Sequence, residues 1–188
     1  MIEIIKRELK LHNEVSLKME VLSSSIELIA KLAINSIKSG GKIILFGNGG
    51  SAADAQHIAA ELVGRYKVNR KGLFAIALTT DTSALTAISN DFGYENVFKR
   101  QLEALLNKND LVIGISTSGN SSNIINALDY AKSFHAKVVG FSGGHGGKMN
   151  NICDINLVVP SNDTPRIQEM HILVGHTICH LIDINLSN

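Results

Sequence analysis

The sequence predicts an α/β protein, a three-layer sandwich with a five-stranded parallel sheet flanked by helices and preceded by N-terminal helices. Two observations predict it. Five short aliphatic and β-branched runs, Lys42 to Phe46, Leu73 to Leu78, Asp110 to Ile115, Lys137 to Phe141 and Ile155 to Val159, alternate with mostly helix-like stretches, the pattern of buried parallel strands with helices on both faces. The chain of 188 residues is 45% hydrophobic and 19% charged, and at that size roughly 70% of the unfolded surface is buried on folding, enough for one core without disulfide or metal staples. A single domain over 1–188 is expected, with a helical segment at 1–39 and an α/β core at 40–188.

Residues 1–39 contain no Gly or Pro and set Ile5, Leu9, Val21, Leu22, Ile26, Ile29, Leu32, Ala33 and Ile37 mostly three and four apart, the spacing of amphipathic helix. Asn13 is the expected break between two helices. Ser39-Gly40-Gly41 ends the pattern, and the first strand-like run follows. Further helices are expected at Ser51 to Tyr66, Ser83 to Ser89, Val97 to Leu106, Ser121 to Phe134 and Thr164 to Leu186. Pro160 and Pro165 bracket the loop before the last of them. That helix and the N-terminal ones carry more apolar surface than one layer over a small sheet can use, so a homo-oligomer is expected.

Several classes are excluded. Eighteen basic against seventeen acidic residues give a net charge of +1, with no field to steer a nucleic acid. No apolar run approaches the roughly 18 residues needed to cross a bilayer. Glu3, Lys6, Arg7 and Glu8 stand where a signal peptide would be apolar, so no membrane role and a cytoplasmic location are expected. Cys153 and Cys179 have no paired spacing and read as reduced packing thiols.

Two segments share the order strand, small polar loop, helix. The first loop, Gly47-Asn48-Gly49-Gly50-Ser51, can bring backbone N–H groups close to an anion, and Ser51 can cap the next helix. It also matches GxGxxA through Ala52, which raises a dinucleotide fold as a rival. The ribose-binding acid expected roughly 20 residues on is missing, since Asp81 lies 34 positions after Gly47. The second loop sets the hydroxyls of Ser116, Thr117, Ser118 and Ser121 around Gly119 and Asn120, a donor set suited to a phosphate monoester. The blander alternative is that Ser121 or Ser122 only caps the helix. Both loops should open at the carboxyl end of the sheet, where open α/β folds bind ligands. No Walker lysine pattern is present to suggest a nucleoside triphosphate.

His57 and Glu61 are four residues apart on one helix face, either an ordinary solvated pair or a functional one, among Ala52, Ala53, Ala55, Ala59 and Ala60, small residues that let a ligand or another chain approach. The last helix carries Gln168, His171, His176 and His180 among apolar residues, and such polar groups require partners.

Four segments together, GNGGSAADAQHIAAELVGRY (47–66), TTDTSALTAISNDFGYE (79–95), GISTSGNS (114–121) and RIQEMHILVGHTICHLID (166–183), resemble the sugar isomerase (SIS) superfamily, and within it the branch that isomerises heptose 7-phosphates. The resemblance runs from the N-terminal helices to the last helix. It implies a homotetramer with interfacial active sites and an aldose–ketose isomerase acting on sedoheptulose 7-phosphate through an enediol. That would be the first step towards nucleotide-activated heptose for lipopolysaccharide or capsule. It further implies substrate contacts at Asn48, Gly49, Gly50, Ser51, Glu61, Asn90, Asp91, Ser116, Thr117, Ser118, Ser121 and Gln168, and one zinc per subunit on His57, Glu61, Gln168 and His176. His171 and His180 are then structural. Pro165 departs from the pattern, since some members carry an acid there.

The chemistry requires a base, an acid and stabilisation of an enediolate, and no redox or nucleotide cofactor. Glu61 is the expected base and His176 the expected acid; a metal polarising the carbonyl is the competing arrangement. Gln168 and His176 lie about 12 Å apart along an ideal helix, so one ion reaches both only through converging side chains or a second subunit. The rival from another class is a non-catalytic SIS module that binds a replication initiator; such proteins lack the carboxylate and histidine present here.

Overall fold

The computed structural model describes residues 1–186. Five strands, β1 (Ile43–Gly47), β2 (Ala75–Ala77), β3 (Leu111–Ile115), β4 (Lys137–Gly143) and β5 (Ile155–Val159), form one sheet in the order β2-β1-β3-β4-β5. Every pairing is parallel. The helices are α1 (Ile2–Lys18), α2 (Ser23–Lys38), α3 (Gly50–Val63), α4 (Thr82–Phe92), α5 (Val97–Leu105), α6 (Ser122–Ser133), a single turn α7 (Met149–Ile152) and α8 (Thr164–Leu186), with short 3₁₀ turns at Met19–Leu22 and Tyr94–Asn96.

Alternation along β1 builds both cores. Ile43 and Leu45 pack with α2, α3 and α8, whereas Ile44 and Phe46 pack with α5, α6 and α7, because successive strand side chains leave on opposite faces. Phe46 and Phe98 stack with ring centroids 5.1 Å apart on the second face.

Several boundaries differ from expectation; α3 ends at Val63, short of the expected Tyr66, with Gly64 after it, and three further differences have local reasons. The N-terminal break falls at Met19–Leu22 and not at Asn13, which stays inside α1. Asn costs a helix only a few tenths of a kcal/mol, while burying Met19 beside the sheet-facing core sets the turn. The first loop leads into α3 one residue early: Gly49, at φ +56°, takes the cap position, and Ser51 is buried within the first turn. Ser51 is therefore not the cap; a cap followed by such a sharp entry requires the positive φ that Gly tolerates. Finally, α4 extends to Phe92, is capped by Asp81 accepting from the Ala84 N–H, and contains no buried residue.

His171 is fully buried on α8, donates from Nε2 to the Ser142 carbonyl at 3.0 Å, and faces the Phe141 ring. That is the structural role expected of it. Burial lowers its pKa from 6.5 to about 4, against a smaller opposing effect of the Ser142 bond. Above pH 6.5 both folded and unfolded chains hold it neutral. As pH falls from 6.5 to 4 only the unfolded chain takes up the proton, so stability drops by up to about 3 kcal/mol. Thermal unfolding followed from pH 7 to 4 should show this fall, and His171→Leu should flatten it. Cys153 and Cys179 are both unpaired, and burial pushes each thiol up to about 12, as expected of packing residues.

Candidate active site and metal centre

Adjacent strands β1 and β3 send their chains to opposite faces, β1 into α3 and β3 into α6. The two polar loops therefore meet over the crevice at their carboxyl ends, where the strand order reverses.

In the second loop the hydroxyls converge. Ser116 Oγ lies 3.1 Å from Ser121 Oγ and 3.5 Å from Ser118 Oγ, and Ser116 is 4% exposed. Ser121 holds the cap position of α6 without a capping side-chain bond, so its hydroxyl serves the loop and the capping alternative lapses. Gly119 has φ +65°, and a Cβ there would strike the Gly146 carbonyl. Gly119→Ala should therefore cost at least about 1–2 kcal/mol from the backbone alone and weaken sugar-phosphate binding, read by thermal unfolding and calorimetric titration.

The first loop is held from two sides. Asn48 Oδ1 accepts from Tyr94 Oη and Asn123 Nδ2, both at 2.9 Å, and Asn48 Nδ2 donates to Asn123 Oδ1 at 2.9 Å. The Asn48 side chain is thus held in place by the protein with one Nδ2 N–H unused among the described residues, and the backbone of Gly49 and Gly50, both exposed, faces outward beside it. Sequence reasoning missed Tyr94 and Asn123. Tyr94 stands inside one of the four segments, and Asn123 follows Ser121 by two, but neither spacing announces a bond to Asn48. Asn90 and Asp91 lie exposed near the end of α4, bonded to each other at 2.8 Å.

Helices α3 and α8 run parallel and in step. A Cβ on Gly50 would meet Gln168 Nε2 at 2.5 Å, and one on Gly175 would meet Ile58. This register brings His57 opposite His176: their Nε2 atoms are 3.0 Å apart, and His57 Nε2 is 3.3 Å from Glu61 Oε1. One ligand atom from each of the three lies within 4.8 Å of the others. Gln168 sits against Gly50, two turns before His176.

Two imidazoles and a carboxylate are ordinary zinc ligands, and two imidazole nitrogens this close need a proton or cation between them. The donor set fits a divalent metal. Asp54, one turn before His57, adds a carboxyl that burial raises to about 6, partly offset by His57. Among the described residues, no helix is long and apolar enough to cross a membrane.

Comparison with known proteins gives a consistent picture. The SIS-domain family model matches residues 11–143. The chain is 62% identical over 185 residues to a phosphoheptose isomerase of Aliarcobacter butzleri, covering 98% of each chain. It superposes on the phosphoheptose isomerase GmhA of Neisseria gonorrhoeae with a TM-score of 0.92 and 42% identity, over 97% of this chain and 98% of that one. On a phosphoheptose isomerase from Francisella tularensis the TM-score is 0.94 at 35% identity, with the same coverage.

Proposed function

The chain belongs to the phosphoheptose isomerase family of SIS domains, and from that membership we propose that it interconverts sedoheptulose 7-phosphate and D-glycero-D-manno-heptose 7-phosphate. It is an aldose–ketose isomerase acting in heptose biosynthesis. The observation that carries the catalytic reading is the meeting of His57, Glu61 and His176 beside two polar loops at one end of the sheet. A non-catalytic module would have no use for that cluster, and this alternative is not favoured.

In the proposed mechanism, Ser116, Thr117, Ser118 and Ser121, with the backbone of Gly49, Gly50 and Ser51, hold the phosphate. Glu61 removes the proton from C1 of the ketose while His176 donates a proton to the C2 oxygen, giving the enediol. His176 then takes back a proton from the C1 hydroxyl, Glu61 returns its proton to C2, and the aldehyde forms at C1. Atoms and electrons balance without a redox partner. Zinc held by His57, Glu61 and His176, with Gln168 as a further ligand, would supply a Lewis acid for the sugar oxygens; in that competing arrangement Glu61 and His176, as ligands, carry protons less readily. Asn48, Asn90, Asp91 and Gln168 complete the proposed substrate contacts.

The assembly proposed is a homotetramer with active sites between subunits, in the cytoplasm. Support comes from apolar residues left open on the N-terminal helices, among them Ile5, Leu9, Leu17 and Leu28, and from α4, none of whose residues is fully buried. NMR of the protein with sedoheptulose 7-phosphate, metal-stripped and then zinc-restored, tests the reaction. Aldose should appear after zinc is restored and scarcely before. Ligand binding without aldose in either sample would overturn the catalytic reading.

A further inference from the structure

We propose that Tyr66 is a positioning residue for His176, laid flat against its imidazole by a buried Arg70–Asp183 clamp. The two rings stack with centroids 5.5 Å apart and planes 21° from parallel, within the range of favourable stacked pairs. His57 meets the same imidazole edge-on, at 5.1 Å and 72°. The His176 ring is thus bounded on one face by Tyr66 and by His57 at its Nε2.

A histidine that ligates a metal usually donates its second ring N–H to a carboxylate or carbonyl, which fixes the ring. Among the described residues no hydrogen bond reaches His176 Nδ1; its one recorded bond is at Nε2, to His57. The aromatic face of Tyr66 takes over that orienting role. Without it the χ2 torsion of a half-buried histidine is broad, and Nε2 would leave the point it shares with His57 and Glu61.

The loop that carries Tyr66 is irregular, yet it is tied to both helices of the site. Asp183 Oδ2 accepts from the backbone N–H of Lys67 and Val68 at 2.9 and 3.1 Å, and Asp183 Oδ1 from Arg70 Nε at 2.7 Å. Arg70 also donates to the carbonyls of Glu61 and Leu62 at 3.1 and 2.9 Å, satisfying the open end of α3 as basic side chains do at helix C-termini. The side chains of Arg70 and Asp183 are 4% and 0% exposed. One clamp therefore fixes the end of α3, the later turns of α8 and the backbone beside Tyr66.

This inference rests on the reading of His176 as a site residue, and its test separates the two. Long-range ¹H–¹⁵N NMR of the metal-free protein reports the His176 ring whether or not the protein isomerises a sugar. Tyr66→Leu and Tyr66→Met should remove the ring-current displacement of the His176 signals and weaken zinc binding about 10-fold or more. Tyr66→Phe should keep both. A merely structural tyrosine would lower thermal stability and leave the zinc affinity of the folded protein unchanged. Unchanged zinc affinity in the folded ringless variants overturns the proposal, as does a Phe variant that falls as far as the Leu variant. Should the ringless variants not fold, nuclear Overhauser contacts between the Tyr66 and His176 rings in the parent decide: their presence supports the proposal and their absence overturns it.

Discussion

Glu61→Gln lowers turnover by about 10²–10⁴-fold, the usual contribution of a positioned general base, while sugar-phosphate binding persists. The amide keeps the shape of the carboxylate but cannot carry a proton between C1 and C2. The loops that hold the phosphate belong to Gly47–Ser51 and Ser116–Ser121, and Glu61 lies nearly three turns along α3 from Ser51. Binding and turnover therefore separate. The measurements are rates by NMR, affinity for the product by calorimetry and zinc content of the variant. Near-normal turnover would remove Glu61 from the base role. Lost turnover with a zinc-free variant would assign Glu61 to holding the metal, since a carboxylate bound to zinc is a poorer proton carrier.

Asp110→Ala costs about 3–5 kcal/mol of stability, the range for leaving one partner of a buried ion pair uncompensated. Lys42 and Asp110 stand immediately before β1 and β3, at the amino end of the sheet, with side chains 6% and 1% exposed and Nζ 2.6 Å from Oδ2. The carboxylate also accepts from the Lys42 N–H at 2.9 Å and the Asn107 N–H at 2.7 Å. Removing it strands an ammonium and two backbone donors together. For a domain of this size the melting temperature should drop by about 6–20 °C, compared at equal protein concentration. Lys42→Met should cost less, because Asp110 keeps its two backbone bonds. Turnover at low temperature should survive in both, since the site is at the other end of the strands. Equal losses in the two variants would show that packing, and not the unpaired charge, sets the cost.

Much of the scaffold was legible in the sequence. The five strand runs appear where expected, with β2 trimmed to Ala75–Ala77 at the sheet edge, and α8 spans Thr164–Leu186 as expected. The pairing of His57 with Glu61 was also legible, since residues four apart on a helix share a face. Less legible were boundaries set by packing, such as the turn at Met19–Leu22. Missed altogether were Tyr94, Asn123 and Tyr66, whose partners are 46, 75 and 110 positions away in the chain.

The sequence by itself determined the element types, the two loops at the carboxyl end of the sheet and the faces on which polar groups sit, because helical and strand periodicity are local properties. Only the tertiary structure decided which group of the α8 polar stripe meets the His57–Glu61 pair on α3. Spacing alone did not tell the four apart. The parallel register of α3 and α8 sets His176 beside His57 and Glu61, turns His171 into the core against Ser142, and leaves Gln168 against Gly50. Periodicity fixes a direction within one helix, whereas a meeting between helices depends on their relative translation and crossing. Those are set by close-packed contacts such as Ile58 in the gap left by Gly175, which no local pattern in either helix encodes.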